Sequence, residues 1–367
     1  MGTGFIFFLN YRVEIIKSFM KESVIRAGIL GFGKSGRNIH APLIDACRSM
    51  VLKNVVTRTG PEQIPGRNEV NVMRSAEELI RSEDTDLIVI TTPNHLHYKM
   101  AHDALTAGKH VVVDKPFTVT AEQAHSLTRT AEKSGKVLTV FHNRRWDGDF
   151  LTVRNLISRQ AVGRLVEFES RFDRFRNYLK EDAWKEKDLP GSGILYDLSP
   201  HLIDQALQVF GVPNKLFADI RNQRWGEADD FFMIRFYYDD FTATLRAGML
   251  VADATPRFVI RGTMGSYVKY GFDPQEEALA RGDDPHGAEW GHEPENKFGV
   301  LRTADGDSFR EERIPTAGGG YPQFYRNIAD AVNGKVDLQV KPAEAAEVIR
   351  MIELALKSQK SGTVVDC

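Results

Sequence analysis

Cysteine is nearly absent: the 367 residues hold two, Cys47 and the terminal Cys367. No disulfide framework and no cysteine-rich metal module can be built from them. Neither charge is in surplus, since 48 Lys and Arg face 50 Asp and Glu for a net charge of −2. A general binder of nucleic acid or of anionic membrane needs a basic excess, so neither partner is expected. Long apolar runs are missing too. The stretch Phe5 to Leu9 falls far short of the ~20 residues that span a bilayer. It also lacks the preceding basic residues and the small-residue cleavage site of a signal peptide. Met20 stands just before the first regular segment, so residues 1–22 read as a dispensable N-terminal extension with an alternative start inside it. Glycine, at 30, and proline, at 15, are ordinary in number, which removes the collagen-like and disordered classes. What remains is a two-domain globular chain, expected in the cytoplasm.

From Val24 onward apolar strands alternate with helical spacing. Strand-like runs at Val24–Leu30, Val51–Thr57, Leu87–Ile90, His110–Val113 and Val137–Phe141 are separated by helix-like stretches, among them Ala121–Ser134 closed by Gly135. That rhythm predicts a doubly wound parallel sheet covered on both faces, over residues 23–143. Beyond Asn143 the runs shorten and alternate, at Leu165–Phe172, Leu216–Gln223, Phe231–Tyr238, Thr242–Leu250, Phe258–Ile260 and Tyr267–Tyr270. They predict a second α/β domain over 144–367 with a large mixed or antiparallel sheet. The charged stretch Gly271–Gly299 reads as a long loop, and helices return at Gln323–Asn333 and Ala343–Gln359.

Gly31-Phe32-Gly33-Lys34-Ser35-Gly36 ends the first strand and opens a helix. In that setting the G-x-G-x-x-G spacing is a dinucleotide fingerprint. The first glycine allows the tight turn, the second admits the pyrophosphate, and the third lets helix and strand approach. The second strand ends in Val55-Val56-Thr57-Arg58-Thr59, with no acid to hold an NAD ribose; Arg58 lies 58 − 36 = 22 residues past the last glycine. A guanidinium there suits a 2′-phosphate, so NADP is favoured and NAD kept as the alternative.

Two further segments carry chemistry. Gly108-Lys109-His110-Val111-Val112-Val113-Asp114-Lys115-Pro116 puts Lys115 past the C-terminal end of a strand, where ligands of doubly wound sheets bind. A lysine there can stabilise negative charge on a substrate oxygen. Leu195-Tyr196-Asp197-Leu198-Ser199-Pro200-His201 is expected to start a helix near Asp197, because proline is tolerated in a first turn. Asp197 and His201 then share one face at i and i+4, a spacing more often that of a plain helix-end pair than of a catalytic one. Arg144, Trp146 and Trp184 are candidate walls of a substrate pocket, with ordinary packing the competing reading. His95, His97 and His102 lie close in sequence but lack a metal-binding pattern, and no metal is expected.

With Thr92-Pro93-Asn94, His97 and the Lys115-Pro116 step, these segments resemble the Gfo/Idh/MocA oxidoreductases over nearly the whole chain from Ile25. Within that family His142–Asp147, Leu195–Leu198, Ile203–Gln205 and Tyr267–Gly271 are most similar to the NADP-dependent scyllo-inositol dehydrogenases. The resemblance implies Lys115 as the active-site lysine, His201 as general acid/base and Asp197 beside it. It implies cofactor contacts from Gly31 to Gly36, from Thr91, Thr92, Pro93, Asn94 and His97, and from Asp114, Lys115 and Asn143. Asp114 departs from the family's usual Glu before the lysine. A polyol or sugar substrate and a homo-oligomer assembled through the C-terminal sheet are implied as well. A reductase of another keto-sugar or carbonyl on the same scaffold is the runner-up, and a non-catalytic NADP-binding sensor stays as the alternative from another class.

Overall fold

The computed structural model describes residues 23–58, 62–181 and 183–367. The extension expected at residues 1–22 lies outside them. Six strands, β1 (Ile25–Leu30), β2 (Met50–Val56), β3 (Asn71–Met73), β4 (Leu87–Ile90), β5 (His110–Val113) and β6 (Leu138–Val140), form one sheet in the order β3-β2-β1-β4-β5-β6. All five pairings are parallel. The strand order reverses between β1 and β4, so the loops after those strands part and leave a crevice at their C-terminal ends.

Helices α1 (Ala41–Asp45), α2 (Ala76–Arg81), α3 (His97–Thr106) and α4 (Ala121–Ser134) connect these strands. Their ends follow local chemistry. Ser75 accepts from the Glu78 N–H and Thr120 from the Gln123 N–H, while Gly135 closes α4 at φ +64°. Each hydroxyl satisfies a helix-start donor, and the glycine takes a conformation that side chains rarely adopt.

The second sheet contains nine strands in the order β14-β13-β12-β11-β7-β10-β9-β8-β15. These are β7 (Leu165–Arg171), β8 (Lys215–Arg221), β9 (Phe231–Tyr237), β10 (Thr242–Gly248), β11 (Phe258–Gly262), β12 (Gly265–Lys269), β13 (Gly299–Asp305), β14 (Ser308–Ile314) and β15 (Val365–Asp366). The β7–β10 pair is parallel and the others antiparallel, so the sheet is mixed. Helices α5 (Gly148–Ser158), α6 (Gly193–Phe210), α7 (Gln275–Arg281), α8 (Pro322–Val332) and α9 (Pro342–Ser361) complete the fold. One apolar cluster runs from Ile90, Val113 and Leu127 to Ile203, Phe232 and Ile349, so the two sheets share a core.

Three expectations need correction. The stretch Gly271–Gly299 is not a plain loop, because α7 forms inside it between Pro274 and Gly282. The hairpin β13–β14 was not anticipated; its second strand, SFREERI, is exposed at every residue but the last and carries no apolar alternation. Helix α6 begins at Gly193, four residues earlier than expected, and runs through Pro200. Its start is held by Asp229, which accepts from the Leu195 N–H at 2.7 Å. Gly193 sits at φ +77°, and a Cβ there would collide with that carboxylate. A cap from a distant loop thus replaces the local one, and proline lands in the interior. There its missing N–H leaves the Tyr196 carbonyl without its helical donor.

A buried pair ties the turn after β6 to α6. Arg145 grips Asp204 of α6 through two nitrogens, at 2.9 and 2.6 Å, and also reaches the Gln339 carbonyl and Glu344. Their side chains are 7% and 3% exposed. Arg145→Met leaves Asp204 as an unpaired buried charge, a defect that costs about 3–5 kcal/mol. Chemical denaturation of Arg145→Met is expected to show a loss of that size, with part of it recovered in Arg145→Met/Asp204→Leu. An Arg145→Met protein as stable as the parent would contradict this reading.

Candidate active site

The glycine loop leaves β1 with Gly31 at φ +101°, a region that glycine enters without strain. A Cβ on Gly36 would stand 2.9 Å from the Gly31 carbonyl oxygen and 3.1 Å from Ile29 and Thr91. Helix and strand therefore meet there only because the side chain is a hydrogen. Around Gly33 a Cβ would find nothing within 4 Å. Bare backbone thus faces open space where the helical run from Gly36 to Asp45 begins. Exposed backbone beside unpaired helix-start N–H groups is what an anionic pyrophosphate requires, so the residues present fit a dinucleotide.

Asp114 links this loop to the next segment. One carboxylate oxygen accepts from the Ser35 hydroxyl at 2.7 Å, and the other from the Lys115 N–H at 2.8 Å. Burial pushes its carboxyl up, but His40, Lys115 and Ser35 outweigh that and hold it below the usual carboxylate range. The shorter Asp therefore makes contact with both segments.

Past β5, the Lys115 ammonium donates to the Asp197 carboxylate at 2.8 Å and to the Asp197 carbonyl at 2.5 Å. Asp197 lies in the second turn of α6, not at the helix start as expected, so the helix end is not its main support. Lys185 donates to the same carboxylate oxygen at 2.6 Å. Burial raises the Asp197 carboxyl, but the two ammonium groups prevail and keep it well below its ordinary value. One turn further on, His201 is 5% exposed, and its Nδ1 is buried without a hydrogen-bond partner. Desolvation, followed by the charges of Lys115 and Arg144, pushes the imidazole well below its ordinary pKa, and Asp197 opposes them only in part. The neutral ring is therefore the form present near pH 7, ready to accept a proton. The Phe172 ring stands edge-on to it at 6.2 Å.

The other expected positions divide. Asn94 donates to the Gly191 carbonyl at 2.6 Å, and the His97 nitrogens face the Pro116 and Thr92 carbonyls at 2.8 and 2.9 Å. These two side chains position the loops around the crevice. Thr91 donates to the Gly31 carbonyl, Thr92 contacts the Met100 sulfur, and Pro93 begins the short turn Asn94–Leu96. Asn143 is buried where the short turn Asn143–Trp146 begins, past β6, and Lys34 and Arg58 are exposed. Phe32 points into the core, with its N–H taken by the Val56 carbonyl. Arg144 is near the site, paired with Asp147 at 3.1 Å and Glu276 at 2.6 Å. Trp184 stands at the rim, with the Lys185 ammonium 5.7 Å from its ring centre. Trp146 is not a pocket wall: its indole is 6% exposed and packs edge-on against Phe324 in the core. Lys185 was missed because it sits in an irregular charged loop without periodicity.

A model of the oxidoreductase family's NAD-binding Rossmann fold, GFO_IDH_MocA, matches residues 25–142, and one of the family's C-terminal alpha/beta domain matches 154–367. The chain belongs to the Gfo/Idh/MocA oxidoreductase family. Oxidoreductase YdgJ of Escherichia coli (strain K12), itself uncharacterized, is 42% identical over 337 residues, 92% of this chain and 96% of that one. The NADP(+) scyllo-inositol 2-dehydrogenase IolW of Bacillus subtilis (strain 168) is 36% identical over 349 residues, 95% and 97% of the two chains. The structure of Bacillus subtilis yvaA superposes with a TM-score of 0.91 at 36% identity, covering 95% of this chain and 99% of that one. As a family member the chain is an oxidoreductase with an NAD(P)-binding Rossmann domain. Among its described residues no helix is long and apolar enough to cross a membrane.

The depressed His201 pKa sets a pH profile. With His201 as the general base that the family resemblance implies, its neutral form is the active one, so kcat/KM for alcohol oxidation should hold steady from pH 8 to 6.5. It should fall only at more acidic pH, where the ring takes its proton. A profile that already falls with a midpoint near the ordinary histidine value of about 6.5 would contradict the buried, cation-flanked environment.

Proposed function

We propose that this protein interconverts a secondary alcohol and a ketone on a cyclitol or sugar, with NADP(H) as the redox partner. The observation that carries the reading is the meeting of Lys115, Asp197 and His201 at the C-terminal end of β5, beside the open Gly33 cradle. The bound nicotinamide supplies the two-electron acceptor or donor. Lys115 stabilises negative charge building on the reacting oxygen. His201 takes the hydroxyl proton during oxidation and returns it during reduction. Asp197, anchored by Lys115 and Lys185, orients the ammonium toward the substrate.

The NADP preference is supported by Arg58, exposed at the end of β2 where an acid would serve NAD. The cyclitol assignment is supported by IolW, whose name gives that substrate and cofactor. Self-association is supported by the second sheet, whose outer face keeps part-exposed side chains such as Phe231, Met233 and Tyr237 on β9.

NADPH formation followed across inositol isomers and aldoses should reveal turnover, faster with NADP+ than with NAD+. His201→Ala should then lower kcat by about 10²–10⁴-fold, the usual effect of losing a proton-transfer group. NADPH binding without turnover of any alcohol or ketone would favour the sensor reading instead.

A further inference from the structure

The strand β7 carries one more group to the catalytic pocket. Phe168 and Ser170 point to its buried face. The parallel ladder with β10 continues past the strand end, through Phe172 N–H to the Arg246 carbonyl and Arg174 N–H to the Gly248 carbonyl. Alternation along that ladder places Phe172 and Arg174 on the same face. Phe172 is the ring that meets His201, and the Arg144 guanidinium lies 4.8 Å above it. Asp173 points the other way, where it accepts from Thr255 at 3.1 Å. Arg174 therefore emerges at the catalytic pocket, two residues beyond the histidine's aromatic neighbour. Its backbone is held on both sides, since the Val251 N–H donates to its carbonyl at 3.1 Å.

The half-buried Arg174 guanidinium has no ion pair or hydrogen bond among the described residues. The carboxylates that act on it most strongly are Asp197 and Glu276. Both are committed, Asp197 to Lys115 and Lys185, and Glu276 to Arg144 at 2.6 Å. Desolvation and then the like charge of Arg176 push the Arg174 pKa down, with Asp197 opposing and Arg144 adding to the fall. A guanidinium held this way among other cations is stabilised when an anion arrives. A planar fork of N–H donors fits the two oxygens of a carboxylate or phosphate.

We propose that Arg174 receives an anionic group on the substrate, so that the polyol or keto-sugar reacting at Lys115 and His201 is one bearing a carboxylate or a phosphate. This rests on the oxidoreductase reading above and narrows its substrate class. A neutral cyclitol offers hydroxyl groups to Arg174 but leaves the surplus positive charge in place. An acidic sugar removes it, and the salt bridge aligns the carbinol carbon against His201.

The test uses the full-length protein with NADPH bound. D-glucuronate, D-galacturonate and D-glucose 6-phosphate are titrated against D-glucose, D-galactose and scyllo-inositol, and nicotinamide fluorescence reports occupancy. At least one acidic ligand should bind tenfold or more tightly than its neutral counterpart, and the advantage should shrink as salt rises. The uronate and phosphate arms tell which anion is preferred. Arg174→Gln should erase the advantage, Arg174→Lys should restore part of it, and the NADPH dissociation constant should stay within twofold in both. Acidic ligands binding no better than neutral ones would overturn the proposal. So would an Arg174→Gln protein that loses NADPH affinity instead, since Arg174 would then serve the cofactor's phosphates. Turnover of neutral polyols alongside the first result would leave the oxidoreductase reading intact. Failure of NADPH itself to bind the parent protein would remove both.

Discussion

The contact between the Lys115 ammonium and Asp197 is the one on which the rest of the site depends. Lys115 leaves the end of a parallel strand, and Asp197 sits on a helix of the second unit, 82 residues further along. One short ion pair therefore fixes the position of the lysine, couples the two sheets across the crevice and sets the field felt by His201. Burial first, and then the charge of Lys115, keep the nearby imidazole neutral, while Asp197 opposes them in part. On the proposed mechanism this places an uncharged base beside a cation that can meet a developing alkoxide.

Two charges drawn partly out of water cost more than they return unless further polar contacts support them. Those contacts are supplied in sequence along the crevice. Ser35 and the Lys115 N–H hold Asp114, His97 holds the Pro116 carbonyl, and Asn94 ties its loop to Gly191 just ahead of α6. Lys185 adds the second cation that Asp197 needs. Pro200 leaves the helix short of one backbone donor near Asp197, and the Asp197 carbonyl accepts from Lys115 as well. Beside this centre stands Arg174, whose guanidinium has no ion pair or hydrogen bond among the described residues.

Much of this was legible in the residues because it rests on local pattern. Apolar runs located every strand of the first sheet except β3, a three-residue edge strand at Asn71–Met73. The glycine spacing located the cradle, and the i, i+4 spacing of Asp197 and His201 survived a helix that begins earlier than expected. The parts that were not legible depend on distant groups. Asp229 caps α6 from a loop 34 residues after Leu195, and no local rule can anticipate that. Lys185 lies outside any periodic segment and Arg174 two residues past the apolar run Leu165–Phe172, and their importance comes from which carboxylates are already taken. Trp146 reads as an aromatic near a site but belongs to the core, since its neighbour Phe324 arrives from the far end of the chain.

The most direct test of this account is Asp197→Asn, a change that keeps the shape of the side chain and removes the charge that anchors Lys115. Transient kinetics with saturating NADP+ and a turned-over polyol should show the chemical step slowed by 10² or more. The NADPH dissociation constant should stay within a few-fold of the parent. A chemical step within threefold of the parent would contradict the claim that the Lys115–Asp197 contact organises the site.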